Sequence, residues 1–170
     1  YRFPRHLLDA EIESILSLGI EAHTGITVGV DIWVQELQKE YDCLYIAIGA
    51  HQDKKVGIPG EDSRNVMSAV EMLRSIGDDV MPDFTGKRVV VIGGGNIAAD
   101  VARTAVRCGA ESVDLYCLEG YDDMPMGPED RGECERDGIT IHAGWGQTEI
   151  VTENGHAAGI RFRKCLRVKN

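Results

Sequence analysis

The run Gly93-Gly94-Gly95-Asn96-Ile97-Ala98 carries the pattern in this chain that is suited to holding a phosphate. Gly93, Gly95 and Ala98 fill the three small positions of G-x-G-x-x-G/A, the spacing of a turn that receives a dinucleotide pyrophosphate. Each position has its own physical demand. Gly93 permits the tight turn, Gly95 lets the backbone approach a phosphate with no Cβ in the way, and Ala98 allows a helix to pack close to the preceding strand. The amino terminus of that helix carries about half a positive charge and unpaired N–H groups, which suit a phosphate. Asp100 follows in the same helix; it either orients a ligand group or an amide, or sits in a polar, dipole-favoured position near the helix start.

A glycine-rich turn also serves simply to join a strand to a helix, so the flanking elements decide. Val89 to Ile92 are consecutive apolar β-branched residues, the pattern of a parallel strand buried on both faces. After the turn, Ile97, Val101, Thr104, Ala105 and Cys108 form a helical stripe, and Gly109 is placed as a C-cap. Val113 to Leu118 supplies a second strand and completes a βαβ unit. Beyond it, Glu129 to Asp137 reads as helix, and Ile139 to His142 and Thr148 to Val151 as strands. Asn154-Gly155 is a hairpin turn leading into a strand over Gly159 to Val168.

Upstream, Leu8, Ile12, Ile15 and Leu16 repeat at helical spacing up to Gly19, and Ile20 to Val30 reads as extended. Asp31 is placed as the N-cap of a helix over Ile32 to Glu40, or else is an ordinary surface carboxylate. Tyr41 to Ala50 reads as a buried strand. Its end, Ala47-Ile48-Gly49-Ala50, is either a core strand leaving through a glycine turn or a close backbone approach to a second cofactor. Residues 51 to 66 have the composition of an exposed connection, Ser68 caps a short helix through Leu73, and 77 to 87 forms another loop.

Composition narrows the class. The chain has 170 residues, 43% hydrophobic and 27% charged, which fits a soluble α/β protein with room for a core and no apolar run long enough for membrane insertion. Eighteen basic against 28 acidic residues give a formal charge of −10, which repels a polyanion and argues against nucleic acid as a partner. Cys43, Cys108, Cys117, Cys134 and Cys165 form no C-x-x-C pair, against a disulfide framework, a zinc site or a redox dithiol. With no charged-then-apolar leader before the first helix, the expected location is cytoplasmic. No tyrosine is followed four positions later by lysine, which removes the catalytic pair of a short-chain dehydrogenase.

Tyr1-Arg2-Phe3-Pro4-Arg5, Tyr41-Asp42 with Ala47-Ile48-Gly49-Ala50, Ile58-Pro59-Gly60-Glu61-Asp62, Gly86 to Asn96 and Met124-Pro125 occur here in an order and at a spacing found together in one family. In that ordered set the chain resembles the small (beta) subunit of glutamate synthase and related FAD/NAD(P)-dependent pyridine nucleotide-disulfide oxidoreductases, over nearly its whole length. The resemblance implies an α/β, Rossmann-like dinucleotide-binding fold of the two-domain flavoprotein type, incomplete here, with a parallel sheet flanked by helices and a small antiparallel element. It implies hydride transfer from NAD(P)H to FAD and on to iron–sulfur centres or subunits of the parent protein. Ala47, Ile48, Gly49 and Ala50 would border the FAD, and Gly94 to Ala98 would hold the nicotinamide dinucleotide. No acid or base stands out as catalytic, since the cofactors carry hydride chemistry and the protein orients them.

The family's amino-terminal cysteine-rich region and first Gly-x-Gly-x-x-Gly do not precede Tyr1, so the chain is expected to be an internal fragment, inactive alone and colourless without added flavin. Residues 1–66 are expected to be part of the FAD domain with its crossover, and 67–170 the inserted NAD(P) domain. Exposed half-domain edges would favour a homodimer. The alternative reading is a nucleotide-binding or interaction module with no turnover of its own. At the end of the second strand many family members place Tyr-Arg-Arg, whose arginines pair with a 2′-phosphate; this chain has Cys117-Leu118-Glu119. Glu119 stands 21 residues beyond Ala98 (119 − 98), near the spacing of an acidic residue that accepts from ribose hydroxyls, so NAD(H) is expected over NADP(H). Otherwise Glu119 is a solvated loop residue, and Arg131, Arg136 or Lys164 folds toward a 2′-phosphate instead.

Overall fold

A computed structural model describes residues 4–166 and 168. The chain divides into two compact units, 1–50 and 51–170.

In the first unit, helix α1 spans Arg5–Leu16 and buries none of its residues; Leu8, Ile12 and Ile15 are all exposed. Helix α2 spans Val34–Glu40, two residues later than the sequence suggests, and Trp33 rather than Asp31 precedes it as N-cap. The Asp31 carboxylate is spent on the Thr27 N–H at 2.7 Å, while Glu36 reaches back to the Trp33 N–H at 2.9 Å. Between the helices, where an extended run was expected, an isolated bridge joins Val28 to Ile32. Tyr41 to Ala50 is not the buried strand expected: no regular strand forms, and Tyr45, Ile46 and Ile48 are 93%, 78% and 75% exposed. A strand buried on both faces needs neighbours to accept its backbone hydrogen bonds, and none pairs with it among the described residues.

The second unit is built on a parallel three-stranded sheet of β1 (Arg88–Ile92), β2 (Ser112–Cys117) and β3 (Thr140–Ala143), in that order. The register sets Val89 beside Val113, Val91 beside Leu115, and Leu115 beside Ile141. Helix α4 (Asn96–Arg107) crosses from β1 to β2, and α5 (Pro128–Arg136) from β2 to β3. On the helix-covered face, Val91, Val113, Leu115 and Cys117 meet Ala98, Ala99, Val101, Ala102 and Ala105. The small side chains let α4 lie close to the sheet. Helix α3 (Ala69–Gly77) adds Met72 and Ile76 to this core; Ser68 caps it by accepting the Glu71 N–H at 3.1 Å, and it runs four residues past Leu73.

Two residues around the glycine turn are less buried than their pattern implies. Val90 is 44% exposed, because β1 lies at the sheet edge and its second face is not fully covered. Ile97 leaves the core stripe and is 54% exposed. Side chains in a helix lean toward its amino terminus, so a first-turn residue projects past the helix end rather than onto the sheet.

Gly109, at φ +87°, ends α4 as expected. Its N–H donates to the Val106 carbonyl and that of Ala110 to the Ala105 carbonyl, both at 3.1 Å, the paired closure of a left-handed glycine cap. Helices α4 and α5 are joined by Arg103, which pairs with Glu133 and with Asp137 at 2.7 Å.

The other sheet face carries a stack of three rings. Tyr116 lies 4.2 Å from His142 and 3.9 Å from Phe162, nearly parallel to both, and His142 Nε2 is 2.7 Å from Asp114 Oδ1. Phe162 comes from the hairpin of β4 (Trp145–Glu153) and β5 (His156–Lys164), whose turn Asn154-Gly155 adopts φ +53° and +78°, as its sequence demands. Residues 59–65 are stitched to this hairpin. The Ile150 N–H donates to the Pro59 carbonyl at 2.8 Å, and Asn65 both accepts from and donates to the Ala157 backbone.

Candidate functional site

The turn between β1 and α4 divides its tasks among three glycines. Gly93 has φ +137°, open to glycine, and its N–H donates to the Tyr116 carbonyl at 2.9 Å, extending the β1–β2 pairing into the turn. A Cβ on Gly93 would stand 3.6 Å from that of Ala98, so strand end and helix start are in contact distance. Gly94 is buried: a Cβ there would stand 2.9 Å from Cys117 Cβ and 3.1 Å from Glu119 Oε2. Gly94 is expected among the ligand-facing residues, and its tightest spatial demand comes from the protein. The signal was a third glycine at a position the fingerprint leaves free.

Gly95 is different again. It is the N-cap of α4 with φ −97° and ψ 177°, ordinary extended backbone, and a Cβ there would meet no protein atom within 4 Å. An open pocket of about 390 Å³ lies at this point, lined by Gly93, Gly95, Asn96, Ile97 and Ala98 and also by Ala69 and Pro125. Ala69 begins α3, and no sequence signal connects it to the turn.

The loop from β2 to α5 closes one side. The Met126 N–H donates to the Gly94 carbonyl at 2.8 Å and the Gly127 N–H to Asn96 Oδ1 at 3.2 Å. At the loop's start the Glu119 carbonyl accepts the Gly144 N–H at 2.7 Å. The structure thus brings Cys117 and Glu119 to the turn. Leu118 turns to the β4–β5 hairpin, where its Cδ2 would lie 2.9 Å from a Cβ on Gly146. Asp100 is half-buried on α4, while Ala47 to Ala50 are exposed in the first unit.

The cations expected as alternative partners of a 2′-phosphate each have a contact within the protein. Arg131 donates to the Tyr121 carbonyl and lies 4.3 Å above that ring, Arg136 is 4.0 Å from Glu133, and Lys164 lies 4.8 Å above the Trp145 ring. Burial pushes the Cys117 thiol up, with Glu119 adding to it, and pushes Cys134 up to about 11. Both shifts favour the neutral thiol over the thiolate. The arrangement offers a glycine-lined, open helix start beside a carboxylate.

Comparison with known proteins agrees with this reading of the fold. The chain is 37% identical over 171 residues to the NADP(+)-dependent formate dehydrogenase subunit beta of Moorella thermoacetica, covering 99% of this chain and 24% of that protein. It is 33% identical to the NADPH-Fe(3+) oxidoreductase subunit beta of Geobacter sulfurreducens, over 99% of this chain and 25% of the relative. With the glutamate synthase [NADPH] small chain of Escherichia coli it shares 27% identity over 95% of its own length and 37% of the relative's. The chain therefore spans between about a quarter and somewhat over a third of these curated relatives. Among solved structures, FprA of Mycobacterium tuberculosis superposes with a TM-score of 0.64 at 18% identity, over 84% of this chain and 50% of that one. The sequence pattern of the family described as pyridine nucleotide-disulphide oxidoreductase matches residues 8–164. With its glycine turn, parallel βαβ core and near end-to-end match, the chain belongs to the pyridine nucleotide-disulphide oxidoreductase family.

Proposed function

We propose that this chain is the nicotinamide-dinucleotide-binding portion of a flavoprotein oxidoreductase and that it prefers NAD(H) over NADP(H). The observation that carries the reading is the Glu119 carboxylate set against the glycine turn, beside a Gly95 whose missing side chain leaves open space. Gly94, Gly95, Asn96 and Ile97 would take the pyrophosphate at the start of α4, where backbone N–H groups and the helix dipole favour negative charge. When bound, NAD(P)H supplies the hydride and FAD in the intact parent accepts it for passage toward iron–sulfur centres. The part played by this chain is to bind and orient. Ala47, Ile48, Gly49 and Ala50 would border FAD in the parent; Gly49 at φ +69° supports that role by presenting backbone without a Cβ.

The Moorella, Geobacter and Escherichia relatives carry NADP or NADPH in their names, so the preference turns on Glu119. A 2′-phosphate near it meets a like charge. At about 4 Å and an effective dielectric near 20 the repulsion is roughly 4 kcal/mol per charge pair, and salt and solvent reduce it. The expected preference is about ten- to hundredfold, or roughly 1.4 to 2.7 kcal/mol. Calorimetric titration of NADH and NADPH into the wild type and a Leu118→Arg/Glu119→Arg variant tests this. The double variant should reverse the order, whereas tighter NADPH binding by the wild type would refute the preference. A wild type that binds neither would refute the site.

A further inference from the structure

We propose that Asn96 is a positioning residue: its side-chain oxygen latches the 124–127 segment against the glycine turn and so holds Pro125 as a wall of the nucleotide pocket. The inference rests on the dinucleotide reading above for its ligand, but the latch itself is read from the protein alone. Asn96 is the first residue of α4, 31 positions from Gly127, and Oδ1 accepts the Gly127 N–H at 3.2 Å. One residue earlier, the Met126 N–H donates to the Gly94 carbonyl at 2.8 Å. Two successive amides of the loop are therefore tied to two residues of the turn.

Between these ties and the end of β2, the side chains alternate. Met124 and Met126 are 7% and 2% exposed and belong to the core, whereas Pro125 lines the pocket. Met124 has extended backbone, at φ −61° and ψ 136°. Successive residues of an extended segment point to opposite sides, so burying the two methionines turns the proline between them outward to the pocket. The ring's fixed φ makes that wall stiff once its ends are held. Gly127 is also the N-cap of α5, so Asn96 takes up one of the N–H groups at that helix start that have no carbonyl partner within the helix.

The charge state of Asn96 matters to the assignment. A neutral amide supplies the acceptor for Gly127 without placing negative charge at the start of α4, where the pyrophosphate would lie. An aspartate would keep the acceptor and add the charge. Loss of the latch should weaken both dinucleotides alike, because it loosens a wall that does not read the 2′ position, whereas a change at Glu119 should alter their ratio.

The test combines amide exchange at Gly127 by NMR with NADH and NADPH titration, on the full chain and its Asn96→Ala and Asn96→Asp variants. In the alanine variant, Gly127 exchange should quicken about five- to tenfold, the order expected for one net hydrogen bond. Both dinucleotides should weaken by a common factor of that order. The aspartate variant should restore slow Gly127 exchange and still bind both dinucleotides more weakly than the wild type. Unchanged Gly127 exchange in the alanine variant, or fast exchange in the aspartate variant, would overturn the latch. A changed NADH-to-NADPH ratio in the alanine variant would overturn the wall assignment. A wild type binding neither dinucleotide would instead sink the nucleotide reading, with Gly127 exchange still deciding the latch, so the two failures are distinguishable.

Discussion

Glu119 Oε2 lies 3.1 Å from the point at which a β-carbon on Gly94 would stand. The end of β2 and the turn after β1 therefore fit together only while position 94 has no side chain. Cys117 tightens the same fit, and because it is buried within the core it cannot swing aside as the Glu119 carboxylate can. Gly94 and Gly95, adjacent in sequence, differ in this: protein atoms crowd a side chain at the first, whereas the second faces open space.

Substitution separates them. Gly95→Val should fold with a change in stability below about 1 kcal/mol, since its backbone is extended and no protein atom stands in the way. It should nevertheless lose dinucleotide binding by at least about tenfold. Gly94→Ala should cost about 1 to 3 kcal/mol in denaturant unfolding through overpacking against Cys117. Equal stability losses for the two variants would contradict this division.

Thr104 is 3% exposed in α4, and its hydroxyl has no hydrogen-bond partner among the described residues. A buried hydroxyl without a partner has lost its water for nothing. Thr104→Val keeps the shape and removes the polar atom, so it should stabilise by about 1 kcal/mol. A lowered urea midpoint at unchanged m-value would show that the hydroxyl is satisfied.

Acid should loosen the α4–α5 contact. Arg103 beside Asp137 holds that carboxyl below its usual range, first by hydrogen bonding, with Arg107 and Arg136 helping. A carboxylate whose folded value is depressed contributes stability that is fully present above its unfolded value near 3.9 and is lost as pH falls through the folded value. Arg103→Ala should cost about 2 kcal/mol at neutral pH, and the difference from wild type should shrink steadily below about pH 4. Thermal melts across pH 2 to 7 would show it; a difference that stays constant would remove Asp137 from the account.

Gly60 binds the connection to the hairpin. Its φ is +84°, and a Cβ there would stand 2.2 Å from the Ile150 carbonyl oxygen. Gly60→Ala should cost about 2 to 4 kcal/mol by combining left-handed strain with the clash. Faster amide exchange at Ile150, which donates to Pro59, should report the loosened stitch.

The strand–turn–helix–strand around Gly93, the stripe of Val101, Thr104 and Ala105, the Gly109 cap and the Asn154-Gly155 hairpin are legible in the residue order alone. These are local properties: side-chain period, the φ that only a few residues tolerate, and the backbone a turn requires. Tertiary structure decided the rest. Long-range packing left Tyr41 to Ala50 without a partner strand among the described residues and set Gly127 on Asn96 and Glu119 against Gly94. Each of those outcomes depends on which remote group takes up a free hydrogen bond or a free volume. A local pattern states what a segment can do; a strand, a latch or a close glycine contact exists only when its neighbour arrives.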